Sequence, residues 1–337
     1  MNYLILYFIF LVFASFFLLK ITNSTLRHFN FISKPTDRGL HTLPVTTSGG
    51  VYFVFYFIIL FLISNKTLFE KNIIEIFLLL SVAIIFGMLD DKKNFSRKLK
   101  LIVQIALSLI LVIFFNFELF QNLFPLIEID IFYFLLNILF LVAFINFINF
   151  VDGSDGNLTL FVFFIFFCLV IKLYFSLLIG QYIYLIYFFP FLITFYFFNI
   201  RKKIFLGDSG SIFLSVFLVL NLNYFVNKEI IQISDVLIIS SYFITDMILT
   251  FGLRIYHYGL NSFKAHRDHA YQNFCYLNKD HKKFSFYMFV YNFIYLFPLY
   301  LLYLKGLVSF LPIIFFSLIP PIFFVIKYSP LIKKNYD

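Results

Sequence analysis

Five aspartates in three short polar segments are the residues whose types and spacing suggest chemistry. They are Asp90 and Asp91 in GMLDDKKN, Asp152 and Asp155 in NFINFVDGSDG, and Asp208 in FLGDSGS. Carboxylate oxygens are the ligands that Mg²⁺ prefers, with Mn²⁺ as the alternative, and the two cysteines lack a CxxC spacing that would favour zinc. This set suits phosphoryl transfer from a nucleotide donor to a lipid phosphate.

The adjacent pair Asp90 and Asp91 ends an apolar run, and a basic turn follows it. Carboxylates at the C-terminal end of a helix face the negative end of its dipole, so the pair needs a positive partner. A divalent cation is the obvious candidate, and a polar turn between two membrane helices is the alternative interpretation. Beyond the turn, Lys100 and Gln104 are four residues apart and share one helical face.

The other polar segments combine turn residues with groups that bind phosphate. Asn146 and Asn149 share a helical face before two Asp-Gly dipeptides, which indicates a tight turn, a binding loop or both. Segment 205–211 opens a helix whose N–H groups can hold a phosphate beside Asp208, although a serine N-cap is also expected there. Segment 266–272 (HRDHAYQ) supplies donors for a diphosphate, and its two histidines are weak evidence for zinc.

Apolar runs of membrane-spanning length must position these polar segments. The chain has 337 residues, 62% of them hydrophobic and 13% charged, with a mean hydropathy of +0.95, which excludes a soluble domain. We predict an all-α polytopic membrane protein, a single transmembrane domain over 1–337, with about eleven helices. The runs lie near 3–19, 50–64, 72–89, 99–116, 131–149, 158–175, 181–199, 209–226, 234–255, 285–304 and 306–326.

The distribution of basic residues predicts the orientation of these helices. Of the 26 Lys and Arg residues, one side of the membrane receives only Lys66, Lys71, Lys172, Lys228 and Lys305. By the positive-inside rule the N-terminus is outside and the C-terminus is cytoplasmic. The net charge of +9 therefore reports orientation, and nucleic-acid binding is not expected. The polar segments fall in cytoplasmic loops at about 20–49, 90–98, 150–157, 200–208 and 256–284.

Taken in order, these segments resemble the motifs of the polyprenyl-phosphate N-acetylhexosamine-1-phosphate transferases, the glycosyltransferase 4 family. GMLDDKKN resembles G-x-x-D-D-x-x-D/N, NFINFVDGSDG resembles N-x-x-N-x-x-D-G-x-D-G, and FLGDSGS resembles F-x-G-D-x-G-S. Asp246 with Arg254 resembles the D…R of the ninth helix, and HRDHAYQ is similar to the histidine motif of O-antigen-initiating members. The resemblance spans roughly residues 35 to 275.

The resemblance implies a reaction in which a UDP-N-acetylhexosamine gives its sugar-1-phosphate to undecaprenyl phosphate in a bacterial cytoplasmic membrane and releases UMP. It implies Mg²⁺ as cofactor, with the active site on the cytoplasmic face. The residues carried over are catalytic Asp90 and Asp91; metal-binding Asp208 and Asp91; and substrate-binding Lys100, Asn149, Asp152, Asp155, Phe205, His266, Arg267 and His269. Direct transfer and an aspartyl intermediate both stay open, as does the identity of the sugar.

Departures from the family pattern set the alternatives. The early loop, PVTTSGG, lacks the arginine of P-x-P-R-G-G-G, and the last motif lacks the H-x-H-H triplet, which favours the O-antigen branch over phospho-MurNAc-pentapeptide translocase. A CDP-alcohol phosphatidyltransferase would need D-G-x-x-A-R, which is not found at Asp152. A lipid-linked transporter is disfavoured because the polar groups cluster on one face. The apolar helix faces are compatible with a homodimer.

Overall fold

A computed structural model describes residues 2–35, 43–63, 73–119, 130–263 and 268–333. These residues are almost entirely helical, as expected from the composition, with one two-stranded hairpin. They form two compact units, which are described in turn. The first comprises Met1–Asp152 and Leu177–Ile230, and the second comprises Gly153–Ser176 and Ile231–Asp337.

The first unit contains the helices that carry the two leading acidic motifs. Its α-helices are α1 (Asn2–His28), α2 (Val54–Ile63), α3 (Ile73–Lys93), α4 (Arg97–Phe114), α5 (Asp130–Val151), α6 (Tyr184–Asn199) and α7 (Gly207–Asn227). Asn94 ends α3 in the left-handed conformation, which asparagine tolerates, and Ser96 caps α4 by accepting a hydrogen bond from the Leu99 N–H. The acidic end of α3 is thereby joined to α4 by a short turn.

The hairpin of two short strands that follows α1 pairs with the segment that precedes α7. Strands β1 (Ile32–Ser33) and β2 (Val45–Thr46) are antiparallel, and Thr46 forms a parallel bridge with Ile204. A 3₁₀-helix, Gly49–Phe53, follows, and its first two N–H groups donate to the carbonyls of Phe205 and Leu206 at 2.9 and 3.1 Å. These backbone bonds hold the segment 45–50 along the chain that leads into α7.

Aromatic side chains form the core of the first unit. Tyr52, Phe53 and Tyr56 are almost fully buried, and their rings contact those of Phe188, Phe191, Phe195 and Phe213. The Phe53–Phe213 pair is stacked and the others are tilted, and favourable aromatic pairs add about 0.5–1.5 kcal/mol each beyond the area that they bury. The phenylalanine-rich composition therefore fixes the 3₁₀-helix and α2 against α6 and α7.

The second unit contains the histidine motif and a sharply bent helix pair. Its α-helices are α8 (Asn157–Phe175), α9 (Ile233–Ile239), α10 (Ser241–Tyr258), α11 (Ala270–Asn278), α12 (His281–Phe289), α13 (Phe297–Leu304), α14 (Phe310–Tyr328) and α15 (Pro330–Lys333). We predicted one span over 234–255, but α9 and α10 meet at 77°. The break falls at Ser240 and Ser241, consistent with the tendency of serine pairs to mark kinks.

Helices compatible with a membrane are present in both units. Among the described residues, six helices are long and apolar enough to span, or up to seven if the bent pair counts as one. Helices α3 and α4 are 21 and 18 residues long, but charges at their adjoining ends lower their apolar character. The all-helical membrane character is confirmed, whereas eleven spans and the orientation of the termini stay predictions.

Candidate active site

Close approach of two backbones brings the acidic end of α3 to the N-terminus of α7. A Cβ atom at Gly87 of α3 would lie 2.4 Å from the Asp208 carbonyl oxygen and from Ser209 Cα. A Cβ atom at Gly50 would lie 2.2 Å from the backbone nitrogen of Gly210. Only glycine fits at either position without movement of a backbone, so these two glycines set the spacing of the site.

Asp91 binds the N-terminus of α7 as an internal anion. Its Oδ1 accepts from the Asp208 N–H at 2.8 Å, and its Oδ2 accepts from the Ser209 N–H at 3.4 Å. The buried Ser48 hydroxyl also donates to Oδ2, at 2.8 Å. From the sequence, the N–H groups at this helix start could hold a phosphate or be capped by serine, whereas in the structure those of Asp208 and Ser209 bind the Asp91 carboxylate.

The backbone around Asp91 is adapted to this contact. Gly207 has φ +70°, a conformation that glycine adopts without steric cost, and a Cβ there would lie 2.3 Å from Asp91 Oδ2. Ser48 has φ 63°, which costs a residue with a Cβ roughly 1 kcal/mol or more. Sequence analysis did not select Ser48; the only signal for it was its position before two glycines in TTSGG.

Asp90, Lys100 and Asp208 form a charge cluster next to Asp91. The ammonium of Lys100 lies 2.5 Å from Asp90 Oδ2 and 2.8 Å from Asp208 Oδ2. Asp90 Oδ1 accepts from the Phe95 N–H at 2.8 Å. The positive partner that the helix dipole demands is therefore supplied by Lys100 for Asp90, and by the N-terminus of α7 for Asp91.

The carboxyl groups of Asp90 and Asp91 follow the apolar run 72–89 and have shifted pKa values. Burial, reinforced by the nearby Asp208 carboxylate, raises the pKa of Asp91 to about 7. Burial and Asp208 also raise the pKa of Asp90 to about 6, although the hydrogen bond from Lys100 opposes the shift. Additional positive charge at this cluster would stabilise the ionised forms.

Two amide side chains border the cluster. Asn149 accepts from the Ser211 hydroxyl at 2.9 Å and also hydrogen-bonds Asp208. Asn146 forms a two-bond amide pair with Gln104, at 2.8 and 3.0 Å. The sequence predicted one shared helical face for Lys100 and Gln104 and another for Asn146 and Asn149. In the structure Gln104 of α4 pairs with Asn146 of α5, while Lys100 and Asn149 both contact Asp208.

The donor set of the first unit fits a magnesium ion that shares its coordination with substrate phosphates. Within the described ranges, no group of three or more His, Cys, Asp or Glu side chains is arranged to hold a metal ion. Asp90 and Asp208 nevertheless supply two carboxylates, and Mg²⁺ is commonly bound by one or two carboxylates completed by phosphate and water. Asp91 would have to share oxygens that already bind Ser48 and α7.

The histidine motif of the second unit is attached to α10 at two points. His269 Nδ1 lies 2.8 Å from Asp246 Oδ2, and Asp246 Oδ1 accepts from the Ala270 N–H at 3.2 Å. Arg254 pairs with Asp268 and donates from Nε to the Ser262 carbonyl at 3.0 Å. Asp246 thus fixes His269 and the start of α11, which gives the D…R pair of α10 a positioning role.

Asp155 has a histidine partner that sequence analysis missed. Asp155 Oδ2 lies 3.0 Å from His281 Nδ1, and the Asp155 N–H reaches the same ring nitrogen at 3.0 Å. Which of the two groups that nitrogen serves depends on its tautomer. Next to them, the Ser154 hydroxyl contacts Cys275 Sγ at 3.5 Å. The sequence offered no signal for His281 beyond its place after a capping aspartate.

The remaining predicted residues are placed as follows. Asp152 is half-buried just after α5, where its N–H donates to the Ile148 carbonyl at 3.3 Å. Phe205 is half-buried before α7, and its N–H donates to the Thr46 carbonyl at 2.7 Å. His266 and Arg267 lie outside the described residues. The structure thus brings Asp90, Asp91, Lys100, Asn149 and Asp208 together in the first unit.

Comparison with known proteins adds one finding to this geometry. Residues 73–224 match the family model described as glycosyl transferase family 4. The matched segment contains the whole acidic cluster, together with its lysine and amide neighbours. A comparison with curated proteins finds no significant match.

Proposed function

Because residues 73–224 match the model of glycosyl transferase family 4, which indicates a polyprenyl-phosphate sugar-phosphate transferase, we propose a specific reaction for this chain. The protein transfers N-acetylhexosamine-1-phosphate from a UDP-sugar to undecaprenyl phosphate and releases UMP. The product begins an O-antigen or a related surface polysaccharide. The histidine motif HRDHAYQ, without an H-x-H-H triplet, supports this branch of the family.

The observation that carries the proposal is the cluster of Asp90, Lys100 and Asp208 inside the matched segment. Two carboxylates that each lie within 2.8 Å of one ammonium form a site with groups for both a metal and a phosphate. A purely structural ion pair would need one carboxylate per ammonium. The second carboxylate is explained if a divalent cation joins the site during turnover.

The transfer forms one P–O bond and breaks another. An oxygen of the lipid phosphate attacks the phosphorus that bears the sugar, and the bond from that phosphorus to the bridging oxygen breaks, so the oxygen leaves with UMP. Asp90 orients the lipid phosphate or takes its proton, since Asp91 is engaged with Ser48 and α7. We favour direct attack because both oxygens of Asp91 already accept hydrogen bonds, from Ser48 and from the N–H groups of Asp208 and Ser209.

Magnesium, when bound, neutralises charge on the donor diphosphate and its leaving group. Asp208 and Asp90 are the residues that would hold it. Asn149 fixes Asp208 through its amide, and Asp91 fixes the backbone of the same residue. These two contacts fix both the side chain and the backbone of Asp208, so the carboxylate is preorganised before substrate binds.

Other residues of the proposal come from the resemblance. Phe205 would stack on the uracil, and Asn149, Asp152 and Asp155 would help to bind the nucleotide. His266, Arg267 and His269 would contact the diphosphate or the sugar. We propose an active site on the cytoplasmic face of the bacterial cytoplasmic membrane, within an eleven-span topology whose N-terminus is outside; the basic loops support this orientation.

The test is UMP release from membranes that contain the protein, undecaprenyl phosphate, Mg²⁺ and one of a panel of UDP-N-acetylhexosamines. We expect release with at least one donor, dependent on both the lipid and the metal. Release without undecaprenyl phosphate would indicate hydrolysis instead of transfer. If no UMP is released with any donor, in membranes where the protein is folded, the transferase assignment is rejected.

A further inference from the structure

The ammonium of Lys100 lies between Asp90 and Asp208, where a metal ion bound to both carboxylates would also lie. This single ammonium is 2.5 Å from Asp90 Oδ2 and 2.8 Å from Asp208 Oδ2. Asp90 is 1% exposed, so its charge receives little screening from solvent. Lys100 is itself partly exposed on the first turns of α4 and has a flexible four-carbon stem.

We propose that Lys100 holds the place of the divalent cation in the resting protein, so that metal binding requires the ammonium to leave. The inference depends on the proposed function only for the choice of Asp90 and Asp208 as the metal-binding pair. An ammonium and a divalent cation cannot both contact the same two oxygens, because the two cations repel at that distance. Lys100 therefore competes with the metal.

A phosphate that binds the Lys100 ammonium would draw it away from the two carboxylates and so end its competition with the metal. An ammonium binds phosphate oxygens as readily as it binds carboxylate oxygens. The flexible stem of Lys100 allows the ammonium to turn from the carboxylates to a phosphate. A bound phosphate thereby raises the affinity for the metal, and by linkage the metal raises the affinity for the phosphate. The lysine couples the two events and neutralises part of the charge of the acidic pair until a substrate arrives.

Direct titration with Mn²⁺ tests this role without any turnover. The purified protein in detergent is titrated with Mn²⁺ alone, and free Mn²⁺ is measured by electron paramagnetic resonance. The test variant is Lys100→Met, which keeps the stem and adds no oxygen ligand. Its matched control is Lys98→Gln, which removes the same charge from an exposed position on the same helix.

We expect Lys100→Met to bind Mn²⁺ at least tenfold more tightly than the wild type, and Lys98→Gln to bind as the wild type does. Lys100→Arg keeps the positive charge, so its affinity for Mn²⁺ should stay as weak as that of the wild type. Adding Asp208→Asn to Lys100→Met should abolish the gain. Lys100→Leu, which also adds no oxygen ligand, provides a second neutral variant if the unfolding midpoint of Lys100→Met shows a loss of folded protein.

Unchanged or weaker Mn²⁺ binding in the neutral variants would overturn the inference, as would equally tight binding by Lys100→Arg. These outcomes are separate from failure of the proposed function, because the titration contains no sugar donor and no lipid. A protein that releases no UMP but shows the tenfold change would contradict the transferase proposal and leave the competition intact.

Discussion

Substitution of Gly87 by alanine tests whether the close approach of α3 and α7 sets the site. The new Cβ would lie 2.4 Å from three backbone atoms of Asp208 and Ser209, whereas ordinary contact begins at 3.4 Å. Backbone atoms of a packed helix cannot rotate away as a side chain can, so the two helices must separate by about 1 Å. That movement displaces Asp208 from Asp90 and Lys100.

The expected magnitude follows from this displacement. A 1 Å misplacement of reacting groups costs roughly 10²-fold in rate, and overpacking costs about 1–3 kcal/mol of stability. The gain in helix propensity from glycine to alanine, roughly 0.5–1 kcal/mol, offsets only part of the overpacking cost. We expect Gly87→Ala to lose about 100-fold in UMP release and to unfold at a lower temperature in detergent.

The matched control is Gly252→Ala, another glycine within a helix. A Cβ there meets nothing within 4 Å, so we expect unchanged activity and equal or slightly higher stability. UMP release is measured at saturating substrate, beside thermal unfolding of the same preparations. If Gly87→Ala keeps activity within about threefold of the wild type, the backbone contact does not set the geometry of the site and the reasoning is wrong.

Three further predictions concern side chains. Ser48→Ala should destabilise the protein by about 1–3 kcal/mol, measured by unfolding in detergent, because Asp91 Oδ2 loses a hydrogen bond in a buried site. Asp208→Asn should lower the rate of UMP release about 10²- to 10⁴-fold, with the protein still folded, because the proposed metal site would lose a charged ligand. His281→Ala should raise KM for the UDP-sugar about three- to tenfold with little change in kcat, because Asp155 loses its partner.

Each of these predictions has a control in the same protein. Ser108→Ala also removes a buried hydroxyl, but that hydroxyl bonds only within its own helix, so a similar destabilisation there would refute the special role of Ser48. Asp130→Asn neutralises an exposed aspartate, and its activity should match the wild type. Lys282→Ala alters the exposed neighbour of His281, and an equal rise in KM would assign the effect to the helix end.

The helices and the positions of the polar segments at their ends were predictable from the sequence. Apolar runs of spanning length must form helices in a membrane, since every backbone group needs an internal partner there. The polar segments then fall at helix ends, where Asp90, Asp91 and Asp208 are found. The ordered motifs also indicated the family whose model matches residues 73–224.

The partners of these carboxylates were not predictable, because they are distant in sequence. Ser48 donates to Asp91 across 43 positions, Lys100 reaches Asp208 across 108, and Asp208 donates to Asp91 across 117. No local propensity specifies such pairs. They depend on how closely two helices approach, and that distance is set by Gly50 and Gly87.

The tertiary structure therefore decided which group neutralises which carboxylate. From the sequence alone, the need for positive partners at the end of α3 followed from its helix dipole, and a metal ion was the candidate. Packing instead placed the N-terminus of α7 against Asp91 and an ammonium between Asp90 and Asp208. The sequence determines that charge must be compensated at this end of the helix, whereas only the packed backbones determine by what.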